Sequence, residues 1–305
     1  MIYLEGGGAC FNAETCAFTP RNINELVVGE TMETVRAVER PQVPWTEGIF
    51  DTSRAENPVR TWNMVYVPYC TGDTHAGTRP NATVPGLPQP QQFVGYRNMT
   101  AFLARIIPTF ASADKVLLTG TSAGGVGAAA NFNQAQDGFG HVPVVLLDDS
   151  GPIFSDEFLS VCLQKRMRDL WGLNGSLPPD CADCFPASGG NLGAAAPFLE
   201  KKYPDAVAGF VSSLEDSVMR FFFSWGENEC RVATYSREKY TRGVVDMRDH
   251  HGFDPAHFGT FFMPGKRHTH IFRERFYTET VGGMTLAQWT GELLAGKPVR
   301  VSAGP

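Results

Sequence analysis

The sequence predicts an α/β protein built on a mostly parallel β-sheet with helices on both faces. Three observations lead there. Short apolar runs recur along the chain and alternate with helical or loop-rich stretches, the order that βαβ crossovers require. These runs lack in-out alternation, as expected for strands covered on both sides. Finally, 305 residues at 43% hydrophobic content supply a sizeable core and exclude a disordered chain.

In order, "MIYL", "NMVYVPY", "KVLLTG", "VPVVLLDD", "VAGFVSS" and "GTFFMPG" read as strands. "NMTAFLARIIPTF" places Met99, Phe102, Leu103, Ile106 and Ile107 near helical spacing and predicts a crossover helix before "KVLLTG". Residues 71–92, rich in Pro, Gly and Thr, read as a long surface loop that holds His75. Residues 172–197, with Pro178-Pro179, two cysteines and Gly189-Gly190, read as a disulfide-pinned excursion. No repeat or linker appears, so residues 1–305 are expected to form one domain.

Net charge is −6, from 26 basic and 32 acidic side chains, with no Lys/Arg cluster of the kind that tracks a phosphate backbone; nucleic acid is not an expected partner. No apolar run approaches the roughly 18 residues of a membrane span, so no stable membrane insertion is expected. "MIYLEGGG" begins within strand-like sequence without a charged leader, and the expectation is that the numbered chain lacks its natural beginning, including a signal peptide and an N-terminal edge. Cys10, Cys16, Cys70, Cys162, Cys181, Cys184 and Cys230 fall at short spacings in polar loops, as disulfide staples of an exported protein would, with at least one left unpaired. The alternative is reduced cytosolic thiols. Cys181-Ala-Asp-Cys184 has no second pair at zinc-ribbon spacing and reads as structural.

Chemistry concentrates at "LLTGTSAGGVG". Ser122 lies between a strand and a run of small residues that opens a helix, with Gly120 two before it and Gly124 two after, the spacing of a nucleophile elbow. A serine hydroxyl needs a base, and the base needs a carboxylate to hold its tautomer. Of seven histidines, His268 and His270 follow "GTFFMPGKR", a strand with a Pro-Gly turn; His268 is the first choice over His75, His141, His250, His251 and His257. The acid is expected between serine and histidine, where Glu215, Asp216, Glu227 and Glu229 compete, with Asp246 and Asp249 trailing. Position favours Asp216, directly after "VAGFVSS", with Glu229 next. "YLEGGGACF" runs a strand into Gly6, Gly7 and Gly8, whose amides can approach a reacting carbonyl, with the Ala123 amide as partner donor. No G-x-G-x-x-G or G-x-x-x-x-G-K-[ST] follows, so a nucleotide site is not indicated.

With these pieces placed, the sequence resembles the pectin acetylesterase and Notum family of serine esterases. The signature "FLEGG-x-x-CFN" is matched from Leu4 to Asn12, with Cys16 at the family's next cysteine. "N-x-V-x-x-P-Y-C-x-x-D" is matched by Asn63, Val65, Pro68, Tyr69, Cys70 and Asp73, "G-x-SAGG-x-G" by Gly120 to Gly127, and "D-S-G" by Asp149-Ser150-Gly151. The match runs in order from residue 2 to 275. The resemblance implies an α/β-hydrolase-like fold with long disulfide-pinned loops, Ser122, Asp216 and His268 as triad, and Gly7, Gly8 and Ala123 as oxyanion donors. It also implies no metal or organic cofactor and a secreted, extracellular or periplasmic location. Two departures stand out: Gly8 where animal members carry an aromatic residue, and Gly265 in place of a cysteine before the family histidine. The expected substrate is an acetyl or other short acyl ester on a polysaccharide such as pectin. The alternatives are a broad carboxylesterase or polyester/lipid deacylase and, from another class, an inactive glycan- or lipid-binding module.

Overall fold

The computed structural model describes residues 1–17, 19, 46–249 and 254–304. Strands β1 (Ile2–Leu4) and β2 (Val65–Val67) precede a hairpin of β3 (Arg79–Ala82) and β4 (Gln91–Phe93). Next come β5 (Val116–Thr121), β6 (Val144–Asp149), β7 (Ala208–Ser213) and β8 (Phe258–Met263), then a hairpin of β9 (Thr280–Val281) and β10 (Met284–Thr285), and finally β11 (Arg300–Ser302). Seven of these form one sheet in the order β11-β8-β7-β6-β5-β1-β2, every neighbouring pair parallel. All six strands expected from the apolar runs lie in it. β11 is an addition: three half-buried residues on an edge carry too little apolar signal to be recognised alone.

Alternate residues along the strands feed two cores, which is why the runs are apolar throughout. Ile2, Leu4, Leu118, Leu146 and Phe210 face one; Tyr3, Leu117, Leu147, Val211 and Phe261 face the other. The helix Ala123–Phe139 covers the first face, and its buried side is largely Gly and Ala, which lets it approach β5 and β6 closely. Leu286–Leu294 covers the second, with Trp289 fully buried. The expected crossover helix is Gly95–Thr109, burying Met99, Leu103 and Ile106, while Phe102 turns outward.

Residues 71–92 are not the surface loop their composition predicts. Residues 71–77 are buried throughout, and β3 and β4 pair within the rest. The Asp73 carboxylate organises this segment from inside, accepting from the Thr71 hydroxyl and, at 2.8 Å, from the Gly95 amide. Polar residues pack here because they bond one another, which composition does not reveal.

Cys10 pairs with Cys16, Cys162 with Cys230, and Cys181 with Cys184, leaving Cys70 as a free thiol. Among the described residues no helix is long and apolar enough to cross a membrane. From β1 the chain steps outward to β2, then returns to β5 on the other side of β1 and builds the sheet in the opposite direction. That reversal opens a crevice at the C-terminal ends of β1 and β5, the usual ligand position in open parallel sheets.

Candidate active site

Ser122 sits at this reversal, directly after β5, at φ 58° and ψ −122°. That conformation is sparsely populated for a side-chain-bearing residue and is held by its surroundings. Its amide donates to the Asp149 carbonyl at 2.7 Å, and its carbonyl accepts from Val126. The flanking glycines are required by close approach. A Cβ on Gly120 would lie 2.3 Å from the Gly124 carbonyl oxygen, and one on Gly124 would lie 2.0 Å from that of Leu4. Both obstacles are backbone.

His268 follows β8, and its Nδ1 donates to Asp216 Oδ2 at 2.7 Å. Asp216 is fully buried after β7, and its other oxygen, Oδ1, caps the helix Ser217–Ser224 by accepting from the Val218 and Met219 amides at 2.9 and 3.0 Å. Both carboxylate oxygens are therefore fixed, one on the helix and one on the imidazole. The competing acids point elsewhere: Glu215 to Arg237, Glu227 to Lys239, Glu229 to Arg231 with its side chain 89% exposed, and Asp246 to Ser155. His268 Nε2 is buried and makes no hydrogen bond among the described residues, and none joins it to Ser122 Oγ.

The other histidines divide clearly. His75 is buried, donates from Nε2 to the Glu5 carbonyl at 2.8 Å, and is pushed down to about 3 by burial. Its segment is core, not the surface loop that its composition predicts. His270 is also buried and is pushed down to about 3, by burial and by neighbouring His268. His141 is exposed and His257 half-buried, while His250 and His251 lie outside the described residues. The Cys70 thiol is pushed up to about 11, chiefly by burial, and is no rival nucleophile.

Gly7 and Gly8 extend from β1 beside the serine turn, and the amides of Gly7, Gly8 and Ala123 donate to no acceptor among the described residues. Tyr69 braces this loop: its amide donates to Glu5 Oε2 at 2.9 Å, its hydroxyl donates to the Gly8 carbonyl at 3.0 Å, and the Thr74 amide donates to that hydroxyl at 2.7 Å.

Asp149 and Ser150 were recognised in the sequence only as part of a family pattern, and the structure gives them a task. Asp149 Oδ2 accepts from the His270 and Ile271 amides at 2.6 and 2.8 Å, while Ser150 Oγ accepts from the Thr269 amide at 3.2 Å. The same Asp149 holds Ser122 through its carbonyl, so one residue ties the serine turn to the histidine loop. Ser122, Ser150 and Thr269 all have positive φ, at 58°, 65° and 62°. Strain of this kind clusters where a site must hold an exact geometry.

From Ser122 a cavity runs under the helix Ala123–Phe139, with about 180 Å³ available to the centres of water molecules. Gly8, Ser122 and Ala123 stand in its wall, and Phe11, Leu159, Met219, Phe222 and Phe258 give it an apolar character.

A family model described as Pectinacetylesterase matches residues 1–178. A palmitoleoyl-protein carboxylesterase NOTUM from Drosophila melanogaster is 26% identical over 199 residues, 61% of this chain and 28% of that protein. The Xenopus laevis palmitoleoyl-protein carboxylesterase notum1 is 30% identical over 159 residues, 50% of this chain and 30% of its own. The chain thus spans about three-tenths of the length of these relatives. Two crystal forms of the Wnt deacylase Notum from Drosophila superpose with TM-scores of 0.69 and 0.66, at 18% and 19% identity, covering 99% and 97% of this chain and 86% and 83% of theirs. The shared α/β-hydrolase fold includes the parallel sheet described above.

Proposed function

The chain belongs to the pectinacetylesterase family, and from that premise we propose that it is a serine-dependent carboxylic-ester hydrolase using Ser122, His268 and Asp216. The observation that carries this reading is the 2.7 Å hydrogen bond from His268 Nδ1 to buried Asp216, made beside a serine on a strained strand-to-helix turn. That bond leaves Nε2 as the basic nitrogen. His268 takes the Ser122 proton as Oγ attacks the ester carbonyl, and the tetrahedral oxyanion receives the amides of Gly7, Gly8 and Ala123. Each such donor contributes about 3 kcal/mol in a preorganised site. Collapse expels the alcohol, protonated by His268; water then attacks the acyl-enzyme with His268 again as base, releasing the acid. Three disulfides support export to an oxidising compartment.

The acyl group is the second part of the proposal. An acetyl ester on a polysaccharide agrees with the family's description and needs room for one methyl group. The apolar cavity opening from Ser122 favours a longer chain, as do relatives named for removing a palmitoleoyl group. Fluorophosphonate labelling tests the nucleophile: wild type is expected to label and Ser122→Ala to remain unlabelled, while equal labelling refutes the assignment. A series of p-nitrophenyl esters from acetate to palmitate, beside acetylated pectin and xylan, reads the acyl group, with kcat/KM expected to rise beyond acetate. An inactive binding module would neither label nor turn over any of them.

A further inference from the structure

The cavity wall carries a carboxyl group that a plain hydrocarbon pocket does not need. Asp148, in β6, is only 4% exposed and lines the cavity beside Phe210, its Cα partner on β7. Its partner on the other side is Gly120, two residues before Ser122. Strand spacing of about 4.8 Å places its carboxyl within roughly 10 Å of the serine, the reach of a short acyl chain.

One oxygen is accounted for. Oδ1 accepts from the Gly151 amide at 2.8 Å and fits against Gly125, where a Cβ would lie 2.1 Å away. Oδ2 makes no hydrogen bond among the described residues, and the residue's remaining exposure opens into the cavity. Two other polar side chains in the wall bond within the protein: Asn133 Oδ1 accepts from Lys202 and Tyr203, and the Ser176 hydroxyl donates to the Leu173 carbonyl. Burial and, more weakly, the nearby Asp149 carboxylate hold the Asp148 acid well above the usual carboxylate range despite the Gly151 amide, which acts against them, and so favour a neutral form that can donate as well as accept. Holding Gly151 requires only one oxygen, and a bound chain that covers the other without bonding it would leave a polar atom unpartnered, at a cost of a few kcal/mol.

We infer that Asp148 reads a hydroxyl group on the acyl chain, so that the preferred substrates are esters of hydroxyalkanoic acids, singly or as oligomers. The inference rests on Ser122 being the nucleophile, since that anchors the acyl chain in this cavity. A plain alkyl chain leaves Oδ2 without a partner. A hydroxylated chain supplies one, and sites built to bond a substrate hydroxyl discriminate strongly against analogues without it.

The test measures acid release from methyl octanoate, methyl 3-hydroxyoctanoate and methyl 8-hydroxyoctanoate by wild type, Asp148→Val and Asp148→Asn. In wild type at least one hydroxy ester is expected to exceed octanoate tenfold in kcat/KM. Asp148→Val should bring that ratio within twofold of unity. Asp148→Asn keeps an oxygen for the Gly151 amide and should change the ratio at least threefold, which preserves the test if the valine variant does not fold. Equal kcat/KM on all three esters in wild type, or the wild-type ratio retained in the variants, overturns the inference. If fluorophosphonate still labels Ser122 in that event, the esterase reading stands; absence of both labelling and turnover overturns both.

Discussion

Asp216 performs two tasks with two oxygens, and each has its own consequence. Oδ1 holds the first turn of the helix Ser217–Ser224, and Oδ2 orients His268. In Asp216→Asn an amide directed at the imidazole favours the wrong tautomer, so kcat is expected to fall at least about a hundredfold with KM little changed. Glu229→Gln should stay within twofold of wild type, because that side chain stands in solvent beside Arg231. Steady-state kinetics on one ester compare the two variants, and near-normal turnover by Asp216→Asn would remove it from the proposed triad. In the sequence both acids occupied acceptable stations. Exposure separates them, and exposure depends on how the chain turns after β7.

At the level of elements, the site is assembled where β5, β6, β7 and β8 end, and β6 does more than fill the sheet. Through Asp149 it holds the serine turn by a carbonyl and the 268–271 loop by a carboxylate. Asp149→Asn replaces one acceptor oxygen with a donor that faces amides, so the histidine loop should loosen while the pocket remains. We expect at least a tenfold loss in kcat with KM within twofold, and slower fluorophosphonate labelling in parallel. A variant that loses stability but keeps kcat would make Asp149 purely structural. The strands, the crossover helix and the elbow were legible because each depends on local spacing and small-residue placement. The bracing by Asp149 and Ser150 was not, since its partners lie some 120 residues away in the chain.

For the whole molecule, buried titratable groups set the response to acid. His75 and His270 have folded pKa values of about 3 against 6.5 when unfolded, so the unfolded chain binds the extra protons and their stabilisation, complete above pH 6.5, is lost as pH falls toward 3. Asp73 and Asp149 work in the opposite direction. Burial raises both to about 6 from 3.8, so the folded protein takes protons first and gains stability as pH falls from about 6 to 4. Each group contributes about 1.4 kcal/mol per pH unit within its window. Asp148, also raised by burial, acts with the two carboxyls, so between pH 6 and 4 they offset or outweigh the histidines, whose loss dominates below that. The urea midpoint is expected to hold or rise from pH 6 to 4 and then drop, more shallowly in His75→Gln; a steady decline from pH 6 would contradict this balance. By itself the sequence determined the parallel α/β sheet, the serine turn, its glycine loop and the short list of acids and bases, because each leaves a local pattern of apolar runs, glycines or ordered stations. Only the tertiary structure decided which acid meets His268, why residues 71–77 are core, and that a carboxyl group faces the cavity beyond Ser122. Those outcomes depend on contacts between distant segments and on exclusion of water, neither of which is written in local spacing.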